Sequence, residues 1–498
     1  MFAVLAVLLF FAEHAVSQLP AHLLLENEVG KWPFYMRGKG KYRWVLTKRA
    51  RENGLSYVGS NERLRAVLDR AMQGKPIKVA AIGGSITAGQ GAVDAPNWPQ
   101  YVLNYLQDEL GEKVVSLANG AVGGTLSAYM SVCHNMHIPK DSDIIFVEYS
   151  VNDWHNPTPA FQNNVRRPFE RLLRKLLNYP KRPAVVMMHQ YIWYQAYPFE
   201  GSFWNNAERE FQEFAMYYQI PTVSIKACCY HLLANNTVGF DTRKQRYRKA
   251  NDLKEIAYYY DAVHPDGRTG ARVSAELVMH LMQRTMDDLT ANKLSPEDGE
   301  VVAAPIPPPM IPNNRESVSD KCFIGNIFVG VVTNKDGFEW VNESKSMRPK
   351  FGFVATKPGS VLDMMVDTRA TAASTAANQK DVLVEVAYLR SYEHMGQASI
   401  TCVSGCKCQE STLEGHHEEQ NSQLHLHHFY ASQHSNCTIQ VKVLDKTKSG
   451  EHKVKIAGIM VSEEEGQHDG IRNNLAVEYV HDISTRSKDN TFEVNNHA

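Results

Sequence analysis

The 498-residue chain carries almost no net charge: 53 Lys and Arg stand against 54 Asp and Glu. A nucleic-acid partner usually leaves a basic excess, so no nucleic-acid partner is expected. Long apolar runs are missing too. Met1–Ala12 is too short to cross a bilayer, which takes about 20 residues of helix, and no later stretch resembles a span, so no integral membrane association is expected. There is no internal repeat. The glycine signatures of phosphate sites are also lacking. In "VAAIGGSITAGQGA" (Val79–Ala92), Gln90 follows Gly89 where a Walker loop needs Lys, and no register gives G-x-G-x-x-G. Thr87 fills the second glycine of the G-x-S-x-G elbow.

What is present is an ordinary globular composition, 43% hydrophobic and 21% charged, enough for two or three domains. The opening "MFAVLAVLLFFAEHAVSQ" reads as a secretory signal over residues 1–17, with an apolar h-region and small residues before Gln18, though its n-region has no Lys or Arg. Secretion suits the N-glycan sequons at Asn235, Asn342 and Asn436. It also suits eight cysteines. Three (Cys133, Cys228, Cys229) fall in the first part and five (Cys322, Cys402, Cys406, Cys408, Cys437) in the second. Both counts are odd, which requires either a bridge between the parts or a free thiol in each. "CVSGCKC" has a zinc-knuckle look, but in a secreted chain disulfides are the better reading.

From about Leu64 to Leu289, "IKVAAI", "KVVSLA", "DIIFVEY" and "PAVVMM" are short apolar runs without alternation, as in parallel strands buried on both faces. Between them lie helical periods. Leu126, Tyr129, Met130, Cys133 and Met136 form one; Ala271, Ala275, Val278, Met282 and Leu289 form another. The alternation predicts a doubly wound α/β domain over residues 61–290. A proline-rich linker is expected at 291–313. Beyond it, Val382, Val384, Val386 and Tyr388 alternate on one strand face, as do Ile439, Val441 and Val443, which predicts an antiparallel β-sandwich over 314–485. The polar residues 486–498 read as a disordered tail. Residues 18–60 form a basic, aromatic segment: Trp32, Phe34, Tyr35, Tyr42 and Trp44 are interleaved with Lys and Arg. These rings are expected to pack on the α/β domain rather than grip an acidic polysaccharide.

The chemistry gathers at strand ends. Ser85 follows the first strand, where ligands of doubly wound sheets sit. "LANGAVGGT" opens a helix whose free N–H groups can hold negative charge. "FVEYSVNDW" ends the third strand at Asn152, an amide donor, and "DAVHPDG" sets Asp261 and His264 before the last helix. Acyl transfer needs a serine, a base to take its proton and an acid to orient that base. Ser85, His264 and Asp261 match those needs. It also needs donors for an oxyanion, which the amides of Ser85 and Gly124 and the side chain of Asn152 would supply.

These four stretches resemble blocks I, II, III and V of the SGNH hydrolases, the GDSL-like esterase and lipase superfamily. In "GGSIT", Gly84 stands where many members have Asp, and in "SVNDW" Ser150 replaces a glycine. Counting from Asn119 puts the oxyanion glycine at Gly124, with Gly123 the near alternative. The resemblance spans roughly residues 78–289. It implies a flavodoxin-like three-layer fold and a serine esterase that uses no metal and no cofactor.

"GHHEEQNSQLHLHHFYASQHSNC" places His425 and His427 on one strand face, a spacing that can hold a metal, but no carboxylate or Cys completes a set. The sandwich shows no catalytic constellation. Trp340 and Phe351 are open to reading as a sugar platform or as core, and Tyr388 reads as core. The expected partner is an ester substrate, with acetylated extracellular polysaccharide the leading candidate. A lipid or small-ester hydrolase, a glycan O-acyltransferase and a non-catalytic carbohydrate-binding protein are the alternatives.

Overall fold

The computed structural model describes residues 20–477, except 28–41, 94, 154–159, 162, 164, 197–198, 204–205, 250–255, 319, 345–348, 371–379, 419–421 and 463–475. The expected leader at 1–17, the expected tail at 486–498 and the rings of Trp32, Phe34 and Tyr35 lie outside the described residues.

The first half alternates strands with helices. Helices α1 (Lys48–Asn53) and α2 (Glu62–Met72) lead into β1 (Ile77–Gly83), α3 (Ser85–Ala88), α4 (Trp98–Leu110) and β2 (Val115–Asn119). Next come α5 (Ser127–His137), β3 (Ile144–Glu148), α6 (Arg166–Leu177), β4 (Ala184–His189) and α7 (Glu208–Tyr218). Strand β5 (Thr222–Ser224), α8 (Ile225–Ala234) and α9 (Gly270–Ala291) complete the unit. The strands form one parallel sheet ordered β2-β1-β3-β4-β5. Its strands read as unbroken apolar runs because both faces are covered. Ile77, Val79, Ala81, Ile144, Phe146 and Val186 face a core shared with α2, α4, α8 and α9. Ala80, Ile82, Ile145, Val147, Val185 and Met187 face a second core, with α5, α6 and α7. Strand order reverses beside β1, and the loops after β1, β2 and β3 meet there, the usual ligand position of such sheets.

Tyr42 and Trp44 pack against the first core, as expected for the aromatic segment. The fastening is polar. Buried Glu276 of α9 accepts hydrogen bonds from the Tyr42 hydroxyl (2.7 Å) and from the Val45 and Leu46 amides (2.6 and 2.9 Å). The Arg51 guanidinium lies 4.0 Å over the Trp44 ring.

The proline-rich stretch is not a free tether. It begins with helix α10 (Pro296–Ala303), closed by a Ser295–Asp298 capping box. It then runs along α6, where buried Glu170 accepts from the Ile311 amide (3.3 Å) and the Asn314 amide group (2.7 Å).

The second half contains β6 (Lys321–Ile324), α11 (Gly325–Val329), β7 (Val332–Asn334), β8 (Glu339–Asn342), β9 (Phe351–Ala355) and β10 (Val361–Val366). The strands β11 (Asp381–Ser391), β12 (Gln397–Ser404), β13 (Ser411–Glu414), β14 (Ser422–Ser432), β15 (Cys437–Val443), β16 (Val454–Ser462) and β17 (Ala476–Val477) follow. They make two sheets, β13-β12-β15-β10-β7 and β17-β14-β11-β16-β9-β8, with β6 beside β16. Val382, Val384, Val386, Tyr388, Ile439, Val441 and Val443 all face the core between the sheets. The opposite face of the larger sheet is covered as well: Ala387, Leu389, Leu424, Leu426, Ala457 and Met460 join the second core of the α/β unit. Each large side chain buried this way is worth about 1.5–3 kcal/mol, so the two units are packed together rather than merely tethered. Lys175 of α6 pairs with Asp320 across this junction (2.5 Å).

The odd cysteine counts resolve through one bridge between the halves, Cys133–Cys322, joining α5 to β6. The others are Cys228–Cys229, Cys402–Cys408 and Cys406–Cys437. "CVSGCKC" is thus held in disulfides.

Candidate active site

Ser85 is the first residue of α3, directly after β1. Its Oγ lies 2.7 Å from His264 Nε2, and His264 Nδ1 lies 2.8 and 2.9 Å from the two oxygens of Asp261. The three-residue spacing has a local cause. Asp261 Oδ1 accepts from the backbone amides of Val263 and His264, both at 2.7 Å. This Asx-type turn brings the imidazole back over the carboxylate that shapes it. Burial raises the Asp261 pKa, but the hydrogen bonds from the His264 ring and the two amides outweigh it and leave the carboxyl below its usual value.

The loop of His264 is pinned from below. Arg246 pairs with buried Asp266 and donates to the Val93 carbonyl (2.9 Å), joining the His264 loop to the loop after α3. Gly91, at φ +86°, leaves no room for a side chain: a Cβ there would lie 2.6 Å from His264 Cβ.

The other two candidates lie on the neighbouring strand-end loops. Asn152, on the turn after β3, donates from Nδ2 to the Thr125 carbonyl (2.8 Å), leaving its second N–H for another acceptor. Gly124 is exposed at φ +74°, a left-handed turn that favours glycine, whereas neighbouring Gly123 is buried. The three strand-end loops are sewn together. Asn119 donates to the Thr87 carbonyl (2.7 Å), the Val122 amide to the Gly83 carbonyl (3.0 Å), and the Ser127 amide to Asp153 (2.9 Å).

Gly84 is explained by space. A Cβ there would fall 2.5 Å from both Nδ2 and Oδ1 of Asn152. The glycine lets that amide come against the serine turn.

Sequence reasoning passed over the groups beneath the site. Thr87 donates to Glu148 Oε2 (2.9 Å) and accepts from the Trp98 indole (3.1 Å), and all three are buried. Asp153 is buried at the start of α5, and desolvation pushes its pKa up to about 7. The signal for Glu148 was a lone acid ending an otherwise apolar strand.

Elsewhere, His425 and His427 share a face of β14, but among the described residues no third ligand clusters with them. His427 Nε2 instead meets Ser411 Oγ (2.8 Å). Among the described residues the one grouping with ligand spacing, Cys402, Cys406 and Cys437, is bound in disulfides. Trp340 is half-buried against the sandwich core and stacks on Phe351 at 5.6 Å. Asn235, Asn342 and Asn436 are exposed.

Residues 81–268 match the model of the GDSL-like Lipase/Acylhydrolase family. No curated protein sequence matches the chain. Among solved structures, the chain is similar to a two-domain esterase (CEX) active on acetylated mannans. The TM-score is 0.59 at 19% identity, over 83% of this chain and 99% of that one. The two-domain esterase co-crystallised with mannopentaose gives 0.57 at 18% identity, over 86% and 99%. An acetylxylan esterase, Axe2, from Geobacillus stearothermophilus covers 42% of this chain and 94% of its own, with a TM-score of 0.28 at 16% identity. The first two share the two-unit fold.

Proposed function

We propose that this chain, whose α/β unit is of the GDSL-like lipase/acylhydrolase type, is a secreted serine esterase that removes O-acyl groups from extracellular glycans. The observation that carries the chemistry is the unbroken contact from Ser85 Oγ through His264 to Asp261, 2.7 and then 2.8 Å, at the carboxyl ends of a parallel sheet. His264 takes the Ser85 proton as Oγ attacks the ester carbonyl, while Asp261 holds Nδ1–H and steadies the imidazolium. The oxyanion is received by the Ser85 and Gly124 amides and the Asn152 side chain. The imidazolium gives its proton to the departing alcohol oxygen. The same imidazole then draws a proton from water, which releases the acid and restores Ser85. No metal or cofactor takes part in this scheme.

The glycan reading has softer supports. The two-domain esterase of similar fold acts on acetylated mannans. Tyr247 is 64% exposed and lies 5.8 Å from Tyr260, the neighbour of Asp261, offering an aromatic face beside the reacting groups. Secretion draws on the 1–17 leader pattern, on four disulfides and on three exposed sequons, Asn235, Asn342 and Asn436, read as glycosylation sites.

The test is hydrolysis of p-nitrophenyl acetate, butyrate and a longer ester, and of acetylated mannan, with Ser85→Ala alongside. Acetyl-preferring activity that Ser85→Ala abolishes is expected. Activity retained in Ser85→Ala overturns the nucleophile. A rise in rate with chain length favours lipid esters instead.

A further inference from the structure

Glu148 ends β3 with its side chain wholly buried (0% exposed), directly under the turn that carries Ser85. Oε2 accepts from the Thr87 hydroxyl at 2.9 Å, and Oε1 has no hydrogen-bond partner among the described residues. Thr87 lies two residues after Ser85 in α3. Its hydroxyl is fixed from the other side by Trp98 Nε1 of α4 (3.1 Å), and its carbonyl by Nδ2 of Asn119, the last residue of β2 (2.7 Å). The pattern Trp98–Thr87–Glu148 is a buried relay whose only adjustable member is the carboxyl.

Among the described residues no cation offsets that carboxyl. α3 presents Thr87 and α4 presents Trp98, both uncharged, and the titratable neighbours on the turn that follows are Tyr149 and Asp153. Both can only add negative charge. The Gly84 amide lies against the carboxyl, and Gly84 in turn lies against the Asn152 amide, which the proposed reaction needs for an oxyanion. A second negative charge fixed near that position would oppose the one that forms there.

We propose that Glu148 is a positioning residue for the ester cleavage: through Thr87 it sets the turn that carries Ser85, and it serves the reaction only while its carboxyl keeps a proton. This rests on the reading of Ser85 as the nucleophile. Burial pushes the group up to about 8, against partial relief from Thr87 and the Gly84 amide and with a further push from Asp153. Loss of the proton therefore falls just above neutral pH, and activity should fall with it.

The experiment compares pH profiles of kcat/KM for wild type, Glu148→Gln, Thr87→Val and Thr87→Ser on p-nitrophenyl acetate, each normalised to its own maximum. Wild type should lose activity as pH rises through about 8. Glu148→Gln, which still accepts from Thr87 but cannot ionise, should hold its plateau roughly one pH unit or more further. Thr87→Val, which removes the donor that favours ionisation, should shift the alkaline limb the same way and lower kcat roughly tenfold with KM little changed. Thr87→Ser should restore both. A purely structural role would lower activity or stability without moving the limb.

An infrared difference spectrum, wild type minus Glu148→Gln, supplies a readout that needs no turnover. A neutral carboxylic acid band at pH 6.5 that disappears by pH 9.5 is expected. An unmoved alkaline limb in Glu148→Gln, or no such band, overturns the proposal. If Glu148→Gln does not fold, the Thr87 pair decides by the same limb. Activity unaffected by Ser85→Ala overturns the serine-esterase reading instead, and the infrared result separates the two failures.

Discussion

Adding a single methyl group at Gly84 should cripple the enzyme while leaving its fold nearly untouched. The backbone there is extended, at φ −83° and ψ −157°, which any residue can adopt, so the constraint is space. The new Cβ would stand 2.5 Å from Asn152 Nδ2 and Oδ1. Ordinary contact begins at 3.4 Å, so the amide must retreat by about 0.9 Å. A misplacement of roughly 1 Å at a reacting centre can cost 10²-fold. Complete loss of one oxyanion donor costs about 10²–10³ in kcat, or ~2.7–4 kcal/mol on the barrier. Gly84→Ala should therefore lower kcat about 100-fold or more on p-nitrophenyl acetate, with a much smaller change in KM. Asn152 is only half-buried and lies on a turn, so Tm should move little. The decisive comparison is the double variant. If the methyl acts only by displacing the amide, Gly84→Ala/Asn152→Ala will be no slower than Asn152→Ala alone. Gly84→Ala within about threefold of wild type, or a double variant whose losses multiply, would refute the reasoning.

Three further outcomes follow from contacts already described. Asp261→Asn should keep the Asx-type turn but lose the tautomer control of His264, lowering kcat by roughly 10⁴; a loss under tenfold on p-nitrophenyl acetate would remove Asp261 from the triad. Burial holds His425 and His427 neutral down to about pH 4, while an unfolded His takes its proton near 6.5. As pH falls from about 6.5 toward 4 the unfolded chain then binds protons that the folded chain refuses, so stability declines over that window. Tm of wild type should drop between pH 7 and 5, and His425→Phe should drop less; parallel curves would show that these rings do not titrate as stated. Cys133–Cys322 closes a loop with a sequence separation of 189, for which the chain-entropy relation gives about 5 kcal/mol. Cys133→Ala/Cys322→Ala should show a lower midpoint in urea with a steeper slope, because the denatured chain without the cross-link is more expanded, and an unchanged midpoint would mean that packing alone joins the halves.

The parts of the fold that can be read from sequence are those governed by local pattern. Strands β1 to β4 announce themselves as apolar runs, and the even-numbered face of β11 by its alternation. Strand β5 is too short, at three residues, to carry a period. Nothing in the sequence says that Ala387 and Leu389, on the other face of β11, are also covered, because that depends on what docks there. The capping box Ser295–Asp298 was a usable sign of a helix in the proline-rich stretch, masked by composition. At the site, Ser85 and Asn152 could be picked out because they closely follow strands, and Asp261 and His264 because the pair precedes the last helix. Arg246, Asp266 and Glu148 act through distant neighbours, and their roles appear only when the chain is folded.

The bridge between the halves also bears on how the protein is made. Cys133 leaves the ribosome far ahead of Cys322, and at 5–20 residues per second the interval is about 10–40 s. During that time α5, which packs against β6 and β16 in the finished chain, has neither strand beside it. Cys228 and Cys229 appear in the meantime as the nearest wrong partners. Chains arrested before residue 320 should therefore keep Cys133 open to alkylation where finished chains do not.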